Sequence, residues 1–127
     1  MTSAWVRFLR SDLIAKMKND AILVNTARGQ LQDNRAIIDA LKADQLGAFA
    51  ADVLPAEGEI FFKQFPADQP VSDATTQELI DLYPRVLLTP HVGSNTDEAL
   101  KNMVEISFEN FHEILTTGKT QNSVATT

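Results

Sequence analysis

At 127 residues the chain has room for one domain, or part of one, with a core of its own. A formal net charge of −6 argues against a nucleic-acid partner, which needs a basic face. The absence of cysteine excludes disulfides and thiolate metal sites and suits a reducing, cytoplasmic setting, and no apolar stretch nears the roughly 20 residues of a bilayer span, so no membrane partner is expected.

Residues 1–10 show no clear period and read as a frayed start, without the long apolar stretch of a signal peptide. Ser11 can cap a short helix that places Leu13, Ile14 and Met17 on one face, with Lys16 and Lys18 near its end. Asn19-Asp20 breaks to Ala21-Ile22-Leu23-Val24-Asn25, an apolar run that reads as a strand buried on both faces, as in a parallel sheet. Asp33 is a good N-cap for a helix over about 34–43, with Ile37, Ala40 and Leu41 inward. Gly47 leads into a second apolar run over 48–55. Strand, helix and strand make a βαβ unit, whose crossover is right-handed almost without exception. Residues 55–74 have no sustained period, and Phe61, Phe62 and Phe65 predict an ordered loop packed down by its aromatics. A short helix over about 76–82 precedes a third run, 86–91. The chain closes on the most regular segment, a helix of about 20 residues. Asn95 or Thr96 caps it, Leu100, Met103, Val104, Phe108, Phe111 and Leu115 form its stripe, and Gly118 ends it.

The three apolar runs end in chemistry. The first delivers Thr26, Ala27 and Arg28, the second Asp52 with Glu57 just beyond, and the third His91. Ligands of open α/β sheets bind outside the carboxyl ends of the strands, so parallel neighbours would bring these groups to one edge. Arg28 suits a planar carboxylate through two parallel hydrogen bonds, though it also suits a surface arginine capping the sheet edge. His91 can exchange a proton near neutral pH, or serve structurally, and a carboxylate such as Glu57 can orient its ring. Asp52 can receive a ligand or cap local backbone. His112 falls on the solvated side of the long helix and is given no role. Two histidines leave little for a metal site. There is no Gly-x-Ser-x-Gly elbow, and the five glycines are too far apart for a Gly-x-Gly-x-x-Gly phosphate turn.

The strings MKNDAILVNTARG, AADVLPAE and LLTPHVGSNTDEALKNMV resemble the C-terminal part of the NAD-dependent D-isomer-specific 2-hydroxyacid dehydrogenases, above all the D-lactate and D-hydroxyisocaproate branch. The likeness runs from about residue 12 to 124. It implies the second half of a Rossmann-type doubly wound parallel α/β sheet over 11–95, a long helix over 96–118 crossing toward a substrate domain, and tails at 1–10 and 119–127. It also implies an oxidoreductase reducing pyruvate-like 2-keto acids to D-2-hydroxy acids with NADH, as a homodimer in the full-length family. By that resemblance Arg28 binds the substrate carboxylate, Glu57 supports His91, and His91 is the acid/base for the keto oxygen. Thr26, Ala27, Arg28 and Asp52 would line the nicotinamide end of NAD.

The family pattern also includes a substrate domain and a glycine-rich nucleotide half that these residues do not match, and residues 1–10 do not look like the family. The expectation is a truncated piece, inactive alone, with poor cofactor affinity and an apolar strand edge left uncovered. The competing reading is a non-catalytic remnant whose long helix serves oligomerisation.

Overall fold

The computed structural model describes residues 8–66 and 68–124. The chain divides into two compact units, one running through Val92 and one beginning at Gly93. The first unit holds a sheet of three parallel strands, β1 (Ala21–Asn25), β2 (Leu46–Ala51) and β3 (Val86–Leu88), in the order β1-β2-β3. Helix α2 (Asn34–Lys42) connects β1 to β2, and α4 (Ala74–Asp81) precedes β3. Two smaller helices, α1 (Ser11–Ile14) and α3 (Glu57–Ile60), and a 3-10 turn over Gly29–Leu31 complete the unit.

Register explains the core. Leu23 stands beside Phe49, which stands beside Val86, so one residue from each strand points to the same face. That face meets Ile37, Ile38 and Leu41 of α2, Leu79 of α4 and Ile14 of α1, all buried. Burial of each such side chain contributes roughly 1.5–3 kcal/mol, and the set decides where the helices lie. Asp33 caps α2 by accepting from the Ala36 N–H at 3.2 Å, as its sequence position predicts. Asp73 caps α4 in the same way, accepting from the Thr76 N–H at 2.7 Å. These hydrogen bonds hold the Asp73 carboxyl below the usual carboxylate range, those from the Thr75 and Thr76 hydroxyls most of all. Between the two helices, Glu78 accepts from Arg35 and Lys42 at 2.7 and 2.9 Å, and the two cations lower its pKa to about 2.

The expectation of strands buried on both faces is corrected. Only one face is covered: Leu23 and Val86 are buried, whereas Ile22, Val24 and Leu87 are 69%, 59% and 56% exposed. A continuous apolar run shows only that both faces suit burial; in this unit the helices pack on one of them. Several local expectations shift too. Arg10, not Ser11, is the N-cap of α1, which is four residues long and ends at Ile14, so Lys16 and Lys18 lie beyond it. Gly47 lies inside β2, which stops at Ala51, and β3 stops at Leu88, short of His91. Ile38 joins Ile37 and Leu41 in the core, a wider inner face than predicted. In the loop only Phe61 packs against the core, while Phe62 is 81% exposed, because α3 ends at Ile60 and Phe62 follows in a left-handed backbone conformation. Residues 1–7 of the predicted frayed start lie outside the described residues, but Leu9 is ordered, exchanging backbone hydrogen bonds with Leu31 and Asp33.

The second unit is built on α5 (Asp97–Thr117). Thr96 caps it, its Oγ1 accepting from the Ala99 N–H at 3.2 Å. Gly118 ends it in the left-handed conformation at φ +75°, a position that favours glycine, and donates its N–H to the Ile114 carbonyl. The predicted helix is present, but none of its residues is buried and its apolar stripe is exposed. Among the described residues no helix is long and apolar enough to cross a membrane.

Candidate active site

The carboxyl ends of the three strands lie side by side. The Asp52 N–H donates to the Asn25 carbonyl at 3.1 Å, and the Thr89 N–H donates to the Ala51 carbonyl at 3.0 Å. Parallel pairing thus continues one residue past β2 and aligns the turns that follow each strand. These turns carry Thr26, Ala27 and Arg28 from β1, Asp52 and Glu57 from β2, and His91 from β3.

His91 and Glu57 meet directly: Nδ1 lies 2.9 Å from Glu57 Oε1. An ionised carboxylate only accepts, so Nδ1 carries the hydrogen and Nε2 is the ring atom left to exchange a proton with a ligand. Glu57 is itself held, its Oε2 accepting from the Leu54 N–H at 3.3 Å. Both side chains are partly open, 41% and 36% exposed, so a ligand can reach the pair.

Asp52 is buried, and its Oδ1 accepts from the Thr89 hydroxyl at 2.6 Å and the Val92 N–H at 2.9 Å. The two residues bracket His91, so Asp52 holds the turn that presents the imidazole.

Arg28 sits on a turn shaped from below. Asn25, 4% exposed at the end of β1, accepts from the Ala27 N–H at 3.0 Å and donates to the Arg28 carbonyl at 3.0 Å. Its amide also donates to buried Gln32, which donates in turn to Asn34 at the start of α2. The Arg28 guanidinium is exposed and donates one bond, to the Ala27 carbonyl at 2.7 Å. It has no carboxylate partner among the described residues, which leaves most of its fork for an anion. Its neighbour Gly29 packs against the backbone of Leu54 and Pro55, the stretch that leads to Glu57.

The expected convergence brings His91 and Glu57 into direct contact, while Asp52 reaches the pair through Thr89 and Val92, which flank His91. Arg28 shares the edge without touching them. The buried amides Asn25, Gln32 and Asn34 and the Thr89 hydroxyl went unpredicted. The one sequence signal for them is a polar side chain closing an apolar run, as Asn25 closes β1 and Thr89 follows β3. A cleft of about 510 Å³ opens beside this edge, lined in part by Asp33, Arg35 and Asp73. Its aspartates cap their own helices and its arginine is paired with Glu78, so those charges are already answered. No group of three or more potential metal ligands is present among the described residues.

Three parallel strands with helices packed on them and polar groups gathered at their carboxyl ends are the architecture of a Rossmann-type α/β domain. The family model for the D-isomer specific 2-hydroxyacid dehydrogenase, NAD binding domain, matches residues 2–93, and the chain belongs to that family. The match takes in residues 2–10, which corrects the expectation that the first ten residues are unlike the family. An aromatic 2-oxoacid reductase of Clostridium sporogenes is 38% identical over 86% of this chain and 32% of its own length. A D-lactate dehydrogenase of Streptococcus pyogenes is 37% identical over 97% of this chain and 37% of its own. The solved D-lactate dehydrogenase of Lactobacillus jensenii with NAD+ superposes with a TM-score of 0.82 at 33% identity, covering 100% of this chain and 37% of that one. The chain spans about a third of the length of the curated relatives it matches.

Proposed function

We propose that this chain supplies the carboxylate-binding and proton-transfer part of an NADH-dependent reductase of 2-keto acids to D-2-hydroxy acids. The observation that carries the reading is the His91–Glu57 pair at 2.9 Å, set at the carboxyl edge of a parallel sheet whose neighbouring turn presents Arg28. Arg28 takes the substrate carboxylate through its two-pronged fork and fixes the orientation of the keto carbon. Glu57 holds Nδ1 of His91, and Nε2 gives its proton to the keto oxygen as the alcohol forms. Thr26, Ala27, Arg28 and Asp52 face the nicotinamide end of the cofactor.

The residues present fit one end of NAD. Small exposed side chains at Thr26 and Ala27 leave room beside a strand end, next to the buried carboxylate of Asp52. When bound, NADH supplies the hydride. None of the five glycines forms a phosphate-cradling turn, so these residues leave the pyrophosphate unanchored, and the chain by itself binds NADH weakly and is inactive. We assign residues 11–95 to part of the NAD-binding domain, to which the family match adds residues 2–10, 96–118 to a helix that crosses to a substrate domain, and 119–127 to a tail. The assembled enzyme is a cytoplasmic homodimer, with neither nucleic acid nor membrane as partner.

The test is a chimera in which this chain replaces the matched segment of the Streptococcus pyogenes relative, assayed with NADH and pyruvate. Turnover that depends on His91 and Arg28 is the expected result. A folded chimera indifferent to both residues would overturn the reading in favour of a non-catalytic role.

A further inference from the structure

We infer that Thr89 is a positioning residue for His91, acting through Asp52; this rests on the reading of His91 as the proton-transfer group. His91 lies in the left-handed backbone region at φ +54°, which a residue with a Cβ rarely adopts unless its surroundings impose it. Within the turn, its N–H donates to the Thr89 carbonyl at 3.0 Å. That bond ties the turn to itself and says nothing about where it points.

Direction comes from Asp52. A single oxygen, Oδ1, accepts from the Thr89 hydroxyl two residues before the histidine and from the Val92 N–H one residue after it. Asp52 is 8% exposed, and hydrogen bonds to a charged oxygen are strong where water is scarce. The N–H of Thr89 is fixed to Ala51 by continuation of the sheet, so the carboxylate pulls the far end of the turn toward a rigid point. The left-handed conformation at residue 91 follows from closing that short span. Two independent constraints then act on the imidazole. The Asp52–Thr89 staple sets the direction in which the side chain leaves the backbone, and Glu57, from another element, sets the rotation of the ring at 2.9 Å. Loss of the hydroxyl should release the first constraint and loosen the second.

The experiment is NMR on the ¹⁵N-labelled chain, with Ile37 and Leu41 amides as the check on folding. Thr89→Val should shift the His91 ring nitrogens from the Nδ1–H form toward a mixture of tautomers and speed Val92 amide exchange by about tenfold or more. Thr89→Ser should restore both signals. A folded Thr89→Val chain with unchanged ring nitrogens and Val92 exchange within about twofold overturns the inference. In the unmodified chain the Thr89 hydroxyl proton should be slow enough to observe, and a hydroxyl in fast exchange with water also overturns it. These signals need neither substrate nor cofactor. They stand or fall separately from turnover, which His91→Gln in the chimera reads.

Discussion

Gly29 and Leu54 are in backbone contact: a Cβ at Gly29 would sit 2.1 Å from the Leu54 carbonyl carbon and 2.3 Å from its oxygen. No side chain fits there without moving backbone. The contact joins the turn that carries Arg28 to the segment whose Leu54 N–H holds Glu57. Gly29→Ala should therefore cost about 1–3 kcal/mol, the usual penalty of overpacking, and disturb both turns together. Urea unfolding gives the first quantity. Amide shifts at Arg28 and Glu57 give the second, and a variant as stable as the parent would show that the two turns can slide apart.

In the chimera, His91→Ala should lower kcat by the 10²–10⁴-fold typical of a lost general acid, with a smaller effect on KM. Glu57→Gln keeps the shape of the pair but removes the carboxylate that holds Nδ1, and should also lower kcat, by less than the loss of the imidazole. Steady-state kinetics with pyruvate checks both.

Arg28→Lys puts a point charge where a planar fork stood. It should raise KM for the keto acid well above the parent value, and by more than it raises the NADH dissociation constant. Comparison of KM for pyruvate with the NADH dissociation constant separates the two effects.

Glu78 makes stability depend on pH in a defined direction. Arg35 and Lys42 lower its folded pKa from 4.5 to about 2, so the ionised form is favoured in the native state. Its contribution is complete above pH 4.5 and disappears as pH falls through about 2. Melting curves of the parent and of Glu78→Gln should differ most near neutrality and converge at acid pH. Curves that run parallel across this range would exclude the cluster as a source of acid sensitivity.

Adjacent residues on β1 should respond very unequally to substitution. Leu23→Ala empties a core position, 9% exposed, and should cost about 2–5 kcal/mol. Ile22→Thr changes a side chain that is 69% exposed and should stay within about 0.5 kcal/mol. Denaturant midpoints of the two variants test whether the second sheet face is bare in solution.

By itself the sequence determined the local elements and the inventory of reactive groups. The apolar runs that fold as β1, β2 and β3, the aspartate at 33 and Gly118 act through short-range geometry that a one-dimensional pattern records. The ends of the runs announced Arg28, Asp52, Glu57 and His91 as well. Only the tertiary structure decided which of these touch. The 2.9 Å contact of His91 with Glu57 depends on parallel register between strands far apart in sequence, and on the path of the chain after Pro55. The role of Asp52 as a staple for the His91 turn, and of Asn25 and Gln32 as the floor beneath Arg28, depends on burial and on which amide faces which. The bare sheet face belongs to this second class too. Hydrophobicity says which surfaces seek cover, and only the packing of named helices on one side says which of them find it.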